Sequence, residues 1–371
     1  MGSGLEFVTP FKSRHDIVTS LFALSTIFSL VKSIDIITHA LVAFSSAKLL
    51  KRSDDEVYAC LIGAICLDFD ILIAFIPLLL PQLYVFTHRG VTHSIFISPL
   101  VSAIALYIFT SSWVTARVNK FISINAKFNL RILLAAYLGA LSHILLDYST
   151  TSGVPVFYPF SIDKYAAELF HYMDFGIMIF GIGLILLLYK YRYKYKDRGR
   201  EKIKNPRLFL AAFLLLILAT GGFRSLEKNS AASTALFPAN VYPTSNPFVW
   251  WILEEDDFNN SIYARRYDTL LKTEDLLLSY PKLEIIAGNS SNFKEAYALA
   301  KALPQVERFY WNSAKISITA IYFSSSESWL IQLRDPLRDA IQRSSPSFYL
   351  AGRSSLNVSI SKLGAEVFNK G

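Results

Sequence analysis

Seven long apolar runs occupy the first 224 residues of this chain, and they constrain its fold more than any other feature. A helix that crosses a bilayer needs about 20 mostly apolar residues, within a range of about 17–25. The runs cover residues 17–33, 36–50, 56–80, 94–115, 131–148, 173–190 and 207–223. They predict a mainly α fold, with a multi-pass transmembrane bundle of about six or seven helices in residues 1–224. Lys12 and Arg14 ahead of the first run leave a signal peptide open as an alternative for that run.

The remainder of the chain has a different pattern. Three prolines predict a stiff linker over residues 225–247. Beyond it, alternating apolar and polar residues at 315–323 and 328–334 predict strands, and residues 292–304 predict an amphipathic helix. Residues 248–371 are therefore expected to form a soluble α+β domain, whose role would be to cap the membrane domain or to present substrate to it.

Charge is distributed unevenly along the chain. Residues 1–224 hold 22 Lys and Arg against 14 Asp and Glu, whereas the remainder is neutral. The whole chain is 53% apolar and 18% charged with two cysteines, which excludes a disordered chain and a disulfide-stapled module. With a cytoplasmic N-terminus, 18 of the 22 basic residues fall on the cytoplasmic side of the predicted spans. Because basic loops stay inside, we expect a cell-membrane protein whose C-terminal domain is extracytoplasmic.

The densest basic segment, Lys190–Arg207, is interpreted as a cytoplasmic loop that sets this orientation. Binding to anionic lipid headgroups is the alternative interpretation. No aromatic stacking platform on a folded domain accompanies the charge, so nucleic acid is not expected as a partner. Membrane lipids are the expected partners.

Ionisable side chains interrupt or border the apolar runs, where they are costly. An Asp near the bilayer centre costs on the order of 2.5–3.5 kcal/mol. The residues concerned are His39, Asp68, Asp70, His88, His93, His143 and Asp147. At about 1.5 Å per helical residue, His39, Asp68 and His143 each lie roughly 18–20 Å from a charged residue at the inner end of their run. Four separate segments are therefore expected to converge in the outer half of the bundle.

The spacing of these residues indicates how they bind. His143 and Asp147 are four residues apart and share a helix face. Asp68 and Asp70 are two apart, which predicts that the helix ends or unwinds near Asp68. Imidazole and carboxylate ligands suit one or two divalent ions, with zinc favoured and manganese or iron as alternatives. All seven residues are predicted metal ligands.

Two residues are predicted to act in catalysis. Arg89 is a candidate clamp for negative charge on a phosphate or carboxylate. Its alternative is an ion pair with Asp147 or Asp163. Asp70 is assigned to catalysis in addition to metal binding.

Four sequence strings occur in a familiar order. They are THALVAF around His39, LIGAICLDFDIL, THRGVTHS and LGALSHILLDYSTTSGVPVFYPFS. In these strings the chain resembles the YdjM/YbcI-like family of LexA-binding, inner-membrane-associated, metal-dependent hydrolases, over about residues 36–200. The resemblance implies a multi-pass membrane protein with a metal-dependent hydrolase site. The residues carried over by motif position are His39, Asp68, Asp70, His88, Arg89, His93, His143 and Asp147.

The resemblance has one departure and one extension. Leu67 stands where the family often has proline before its first acidic residue. More distantly, the His and Asp arrangement looks like the fold of zinc-dependent phospholipase C and single-strand nuclease. That likeness implies a phosphoester or lipid-linked substrate.

Three functions are compatible with these patterns. The leading hypothesis is a membrane-bound metal-dependent hydrolase that acts on an ester or phosphoester, small or lipid-linked, in the outer half of the bilayer. The alternatives are an ion- or proton-coupled transporter and a non-catalytic membrane scaffold with a structural metal. Ligand atoms around one point favour a metal centre, whereas the same groups along a spanning cavity favour transport.

Overall fold

The structure is a computed structural model that describes seven segments of the chain. These are residues 35–118, 127–171, 175–196, 206–287, 290–344, 354–361 and 364–368. The first predicted span, residues 17–33, lies outside the described residues. Part of the basic loop predicted at Lys190–Arg207 lies outside them as well.

The N-terminal part of the described chain is helical. Its helices are α1 Asp35–Leu49, α2 Asp54–Cys66, α3 Ile76–Leu79, α4 Ser98–Phe109, α5 Ser112–Val118, α6 Leu130–Ser149, α7 Phe175–Lys196 and α8 Pro206–Ala232. Between α2 and α4 lie 3-10 segments at Leu67–Leu72, Pro81–Phe86 and Val91–His93. The predicted span at residues 56–80 is therefore an α-helix, a 3-10 segment and one short helical turn.

Local chemistry defines both ends of α2. The Ser53 side chain accepts a hydrogen bond from the Glu56 backbone, and the Glu56 carboxylate accepts one from the Ser53 backbone. Cys66 is the last α-helical residue before the 3-10 segment. Pro77, further along the same run, lacks a backbone N–H and is incompatible with an unbroken helix through this region. The predicted helix end near Asp68 is confirmed.

The predicted bundle of about six or seven transmembrane helices is wrong. Among the described residues, only Leu130–Ser149 and Arg207–Ala232 form helices long and apolar enough to cross a membrane. Helix α2, for example, has 13 residues and is about 20 Å long, against a hydrocarbon core of about 30 Å. The apolar runs are continuous in sequence, but caps and prolines end the helices inside them. The structure is about 52% helical, with two sheets in its C-terminal part.

Helices α2 and α6 pack with their backbones in close contact. A Cβ atom at Gly63 would lie 1.8 Å from the Ala136 carbonyl oxygen. A Cβ atom at Gly139 would lie 2.0 Å from the Cys60 carbonyl oxygen. Only glycine fits at these two positions without moving a helix. The contact sets the distance from α2 to the polar face of α6.

The C-terminal part contains two sheets. The first has strand order β1-β2-β3-β4, with β1 Ala239–Pro243, β2 Val249–Asp256, β3 Ser261–Asp268 and β4 Thr273–Pro281. The second has order β5-β6-β7-β8-β9, with β5 Leu283–Ile285, β6 Ser317–Phe323, β7 Ser328–Arg334, β8 Ser355–Ser361 and β9 Gly364–Phe368. The helices are α9 Ser290–Lys301, α10 Pro304–Asn312 and α11 Pro336–Ser344. Strands β6 and β7 and helix α9 confirm the elements predicted there.

All strand pairs are antiparallel except β5 with β6, which is parallel. Each sheet has its own core. Phe293 of α9 and Phe309 of α10 pack on Ile331 of the second sheet, and Ala340 of α11 packs on Leu253 of the first. The apolar faces of these helices and sheets bury one another, which explains the α+β character of this part.

The C-terminal part joins the helical part through direct contacts. Helix α8 and strand β1 both extend into residues 225–247, the predicted linker. The buried Arg224 of α8 donates hydrogen bonds to the carbonyl oxygens of Leu169 and Thr244. One guanidinium group therefore connects α8 to the loop after α6 and to the loop after β1.

A second contact lies on α10. Trp311 Nε1 donates to the Ile162 carbonyl oxygen at 2.6 Å, and the Trp311 ring centroid is 5.6 Å from that of Tyr84. Tyr84 belongs to the 3-10 segment that precedes His88. The C-terminal part thus contacts the chain just ahead of the predicted site residues.

We expect Gly63→Ala to lower the free energy of unfolding by about 1–3 kcal/mol, because the new methyl group would overlap the backbone of α6. Thermal unfolding of the detergent-solubilised protein, followed by circular dichroism, measures the change. Gly183→Ala is the matched control, since a Cβ atom there has no neighbour within 4 Å. Equal stability of the two variants would contradict the close helix contact.

Candidate metal centre

The structure brings all seven predicted ligand residues into one cluster inside the helical part. Its interior members, each at most 4% exposed, are His39, Asp70, His93, His143 and Asp147. Asp68 and His88 lie at the edge, with side chains 13% and 28% exposed. Two rigid helices, α1 and α6, and two irregular segments supply the cluster. The four segments therefore converge as predicted, but without the predicted bundle of membrane-spanning helices.

Four donor atoms form the centre of the cluster. They are His93 Nε2, His143 Nε2, Asp68 Oδ1 and Asp147 Oδ2. The two nitrogens are 3.1 Å apart, and each lies 3.2–3.8 Å from both oxygens. A tetrahedral site with bonds of about 2.0–2.1 Å places neighbouring ligand atoms about 3.3–3.4 Å apart. The two nitrogens and either of the oxygens are thus spaced as ligands of one small divalent ion would be, while Asp68 and Asp147 fall in different groups of candidate ligands.

Hydrogen bonds direct two imidazole lone pairs to this point. His143 Nδ1 lies 2.6 Å from the Ala64 carbonyl oxygen, which can only accept, so Nδ1 carries the proton. His93 Nδ1 lies 2.9 Å from the Thr92 hydroxyl, whose own proton goes to Asp70. In this arrangement the two Nε2 lone pairs face each other, a repulsive contact that a cation between them removes.

The electrostatic potential at the centre of the cluster is strongly negative. Burial lowers the pKa of His93, but nearby carboxylates, first Asp147, outweigh burial and raise that pKa well above its usual range. Burial raises the pKa of Asp68, but nearby imidazoles, first His143, outweigh it and hold that pKa below its usual range. The centre therefore favours a positive charge, for which a metal ion and a proton compete.

His39 extends the centre toward α1. Its ring stacks on the His143 ring with centroids 3.8 Å apart, and its Nε2 lies 3.5 Å from Asp147 Oδ1. Two groups of candidate ligands thus share His143. One group adds Asp68 and His93, and the other adds His39 and Asp147. The arrangement suits one ion or two neighbouring ions, the two alternatives that the sequence left open.

Asp70 bonds to the loop that contains His88, Arg89 and Thr92, and not to the central donor atoms. Its Oδ1 lies 2.8 Å from His88 Nδ1, and its Oδ2 accepts from the Arg89 backbone and the Thr92 hydroxyl. Burial raises the pKa of Asp70, but hydrogen bonds from His88 and His93 outweigh it and lower that pKa. A carboxylate with such bonds commonly orients a ligand histidine. The catalytic and metal-binding roles of Asp70 stay predictions.

Arg89 is buried and bonds to α6 and its C-terminal end. Its Nη2 lies 2.7 Å from Asp147 Oδ1, and its Nη1 donates to the Thr150 hydroxyl at 2.8 Å. Its φ is 58°, and a Cβ atom at Gly90 would lie 2.0 Å from the Val85 carbonyl oxygen. Only glycine therefore fits after Arg89 in this turn. The structure contains the ion pair with Asp147, and the anion clamp stays a prediction.

Three groups of the site were not predicted from the sequence. The hydroxyls of Thr92 and Thr150 lie in the THRGVTHS and LDYST strings, and their nearness to the charged residues is a signal that could have found them. The sequence gives no signal for the Ala64 carbonyl oxygen, because every residue has a main-chain carbonyl group. Only the contact between α2 and α6 places it beside His143.

The comparison with known proteins gives one finding. The family model of the YdjM inner membrane protein matches residues 34–230, more than half of the chain. This range includes all eight residues carried over from the motifs, the whole of Leu130–Ser149 and all but the last two residues of Arg207–Ala232. No curated protein and no solved structure matches the chain. The chain belongs to the family of YdjM inner membrane proteins.

Proposed function

We propose that this protein is a membrane-bound, metal-dependent hydrolase that acts on an ester or phosphoester, small or lipid-linked. One observation carries the proposal. Three donor atoms from separate segments, His93 Nε2, His143 Nε2 and Asp68 Oδ1, lie 3.1–3.8 Å from one another, as the ligands of one divalent ion would. Asp147 Oδ2 lies 3.2 Å and 3.5 Å from the same two nitrogens. The membrane location rests on the family to which the chain belongs.

The donor set fits zinc, with manganese or iron as alternatives. Imidazole nitrogen and carboxylate oxygen donors are typical of zinc sites. The buried thiols of Cys60 and Cys66 belong to neither group of candidate ligands among the described residues. When bound, an ion of this kind supplies Lewis-acid polarisation of the substrate and activation of water.

His88 and Asp70 form a candidate proton-transfer pair beside the centre. Asp70 holds the His88 Nδ1 at 2.8 Å, which leaves Nε2 to exchange a proton with a substrate. The His88 ring centroid is 5.9 Å from that of His93, and its side chain is the most exposed of the seven. We therefore assign His88 to proton transfer and not to the central ligand set.

Arg89 acts as a positioning residue in this proposal. Its guanidinium holds Asp147 Oδ1, while Asp147 Oδ2 faces His93 and His143. The two oxygens of the Asp147 carboxylate thus have different partners. The Arg89 charge also offsets part of the negative charge of the buried carboxylates.

An exposed apolar surface adjoins the open edge of the site. Asp68 and Asp70 alternate with Phe69, Ile71 and Leu72, which are 43%, 43% and 71% exposed. The segment that supplies carboxylates to the cluster therefore presents apolar side chains to its surroundings. In an inner membrane protein, such a surface suits the acyl chains of a lipid-linked substrate.

The two alternative functions are less well supported. A transporter would arrange its ionisable groups along a spanning cavity, whereas the donor atoms of each group of candidate ligands lie within 4.8 Å of one another. A structural metal would be fully enclosed by protein. Asp68 and His88 reach the edge of the cluster instead, and their partial exposure favours a site that substrate can enter.

We expect the purified protein to contain about one or two divalent ions per chain, and Asp68→Asn to lower metal content at least about tenfold, because it removes a charged ligand. Elemental analysis by mass spectrometry measures the metal. Asp163→Asn is the matched control, since Asp163 is exposed and bonds to Ser161. Unchanged metal in Asp68→Asn would refute the centre.

Hydrolysis itself is tested with a panel of phosphoesters and esters, some lipid-linked, on the metal-loaded protein. We expect turnover in the wild type and its loss in Asp68→Asn. Metal without turnover of any substrate class would refute the hydrolase and support the structural-metal scaffold.

We expect His88→Ala to reduce turnover by about 10²–10⁴-fold while metal content stays near the wild-type value, because His88 transfers a proton and does not bind the central ion. His171→Ala is the control, a histidine outside both candidate ligand groups. Loss of metal in His88→Ala would return His88 to the ligand set that the sequence predicted.

A further inference from the structure

The loop between α6 and α7 carries Lys164 toward α10. Val154 and Tyr165 pair through two backbone hydrogen bonds, of 3.1 Å and 2.9 Å, which hold the adjacent Lys164 in place. The Lys164 ammonium donates to Asn312 Oδ1 at 2.9 Å and lies 3.7 Å from the centroid of the Trp311 ring. A basic residue of the helical part thus reaches into the C-terminal part.

The charges of three arginines act on the Lys164 ammonium. Arg338 Nη2 donates to the main-chain oxygen of Asn312 at 2.6 Å, so Lys164 and Arg338 bind the same residue. Arg308 is one turn earlier on α10, and its carbonyl oxygen accepts from the Asn312 side chain. Burial first, and then the charges of Arg338, Arg89 and Arg308, lower the pKa of the ammonium to about 7. Arg89 also pairs with Asp147 of the candidate metal centre.

Carboxylates offset only part of this positive charge. Asp335 lies 3.5 Å from Arg338 Nε, and Asp147 pairs with Arg89. In the part of the chain that the structure describes, no carboxylate lies within ion-pair distance of the Lys164 ammonium or the Arg308 guanidinium. Partly buried cations without counter-charges are costly, and a bound anion would remove that cost.

We propose that Lys164, Arg308 and Arg338 bind a phosphate group between the loop after α6 and the C-terminal part. Guanidinium and ammonium groups together match a phosphate in charge and in hydrogen-bond donors. The charge of Arg89 acts on the Lys164 ammonium, and its guanidinium pairs with Asp147, which suits a substrate whose phosphate binds here while its scissile bond reaches the candidate ligands. The assignment of the phosphate to the substrate rests on the proposed function, whereas the binding site itself does not.

The test measures inorganic phosphate binding to the full-length protein in detergent, at about pH 6, where Lys164 is protonated. We expect phosphate to raise the thermal midpoint more than chloride at equal ionic strength. Lys164→Gln and Arg308→Gln should each weaken phosphate binding at least about tenfold. Lys282→Gln is the matched control, because its ammonium pairs with Glu255 and Asp257, and it should bind phosphate like the wild type.

Two results of these measurements would refute the phosphate site. One is that phosphate does not raise the thermal midpoint of the wild type. The other is that Lys164→Gln and Arg308→Gln both bind phosphate with wild-type affinity. Two variants on separate elements guard against a folding defect in one of them, and circular dichroism verifies their folding. Loss of phosphate binding in Asp68→Asn would show that the metal, not the basic cluster, holds the anion, and would also refute the site.

Two further arms identify the source of the phosphate group. Competition by micelles doped with phosphatidic acid supports a lipid phosphomonoester, and competition by glycerol 3-phosphate alone supports a soluble one. Hydrolysis without phosphate binding at the basic cluster would refute this inference and leave the proposed function intact. Phosphate binding without hydrolysis of any substrate would refute the proposed function and leave this site intact.

Discussion

The hydrogen bond from His143 Nδ1 to the Ala64 carbonyl oxygen is the interaction on which the rest of the candidate metal centre depends. It exists because Gly63 and Gly139 let the backbones of α2 and α6 touch. The bond places the imidazole proton on Nδ1 and directs the Nε2 lone pair to the three other donor atoms. A looser helix pair would leave the His143 ring without this restraint, and the spacing of the ligands would no longer suit a small ion.

The remaining donors come from backbone that is not α-helical. Because α2 ends at Cys66, the next residues turn Asp68 and Asp70 into the cluster and leave Phe69, Ile71 and Leu72 outside. One short segment therefore forms part of the polar site and part of the apolar surface. This division places the site at a boundary between the protein interior and an exposed apolar surface.

Charge balance connects the metal centre to the C-terminal part. Arg89 offsets the charge of Asp147, one of the carboxylates of the candidate metal centre. Around Lys164, the positive charge of the ammonium and of the arginines that act on it exceeds the negative charge of their acidic partners. Trp311 and Asn312 of α10 hold the loop that carries Lys164. The C-terminal part is thus more than an appended domain, since α10 contacts both the loop that carries Lys164 and the segment ahead of His88.

The sequence by itself determined which residues form the cluster, because ionisable side chains in apolar runs are costly and stand out under any topology. It also determined the helix end near Asp68 and strands β6 and β7, since local spacing and alternation act over a few residues. It did not determine the number of membrane-spanning helices. A count of apolar residues over a long run does not register the single caps and prolines that end a helix within that run. Only the tertiary structure decided that Asp147 faces the ion position while Asp70 faces the loop. Main-chain contacts, such as the hydrogen bond of His143 to the Ala64 carbonyl oxygen, orient these donors. Such contacts cannot be predicted from the sequence, because every residue has a main-chain carbonyl group.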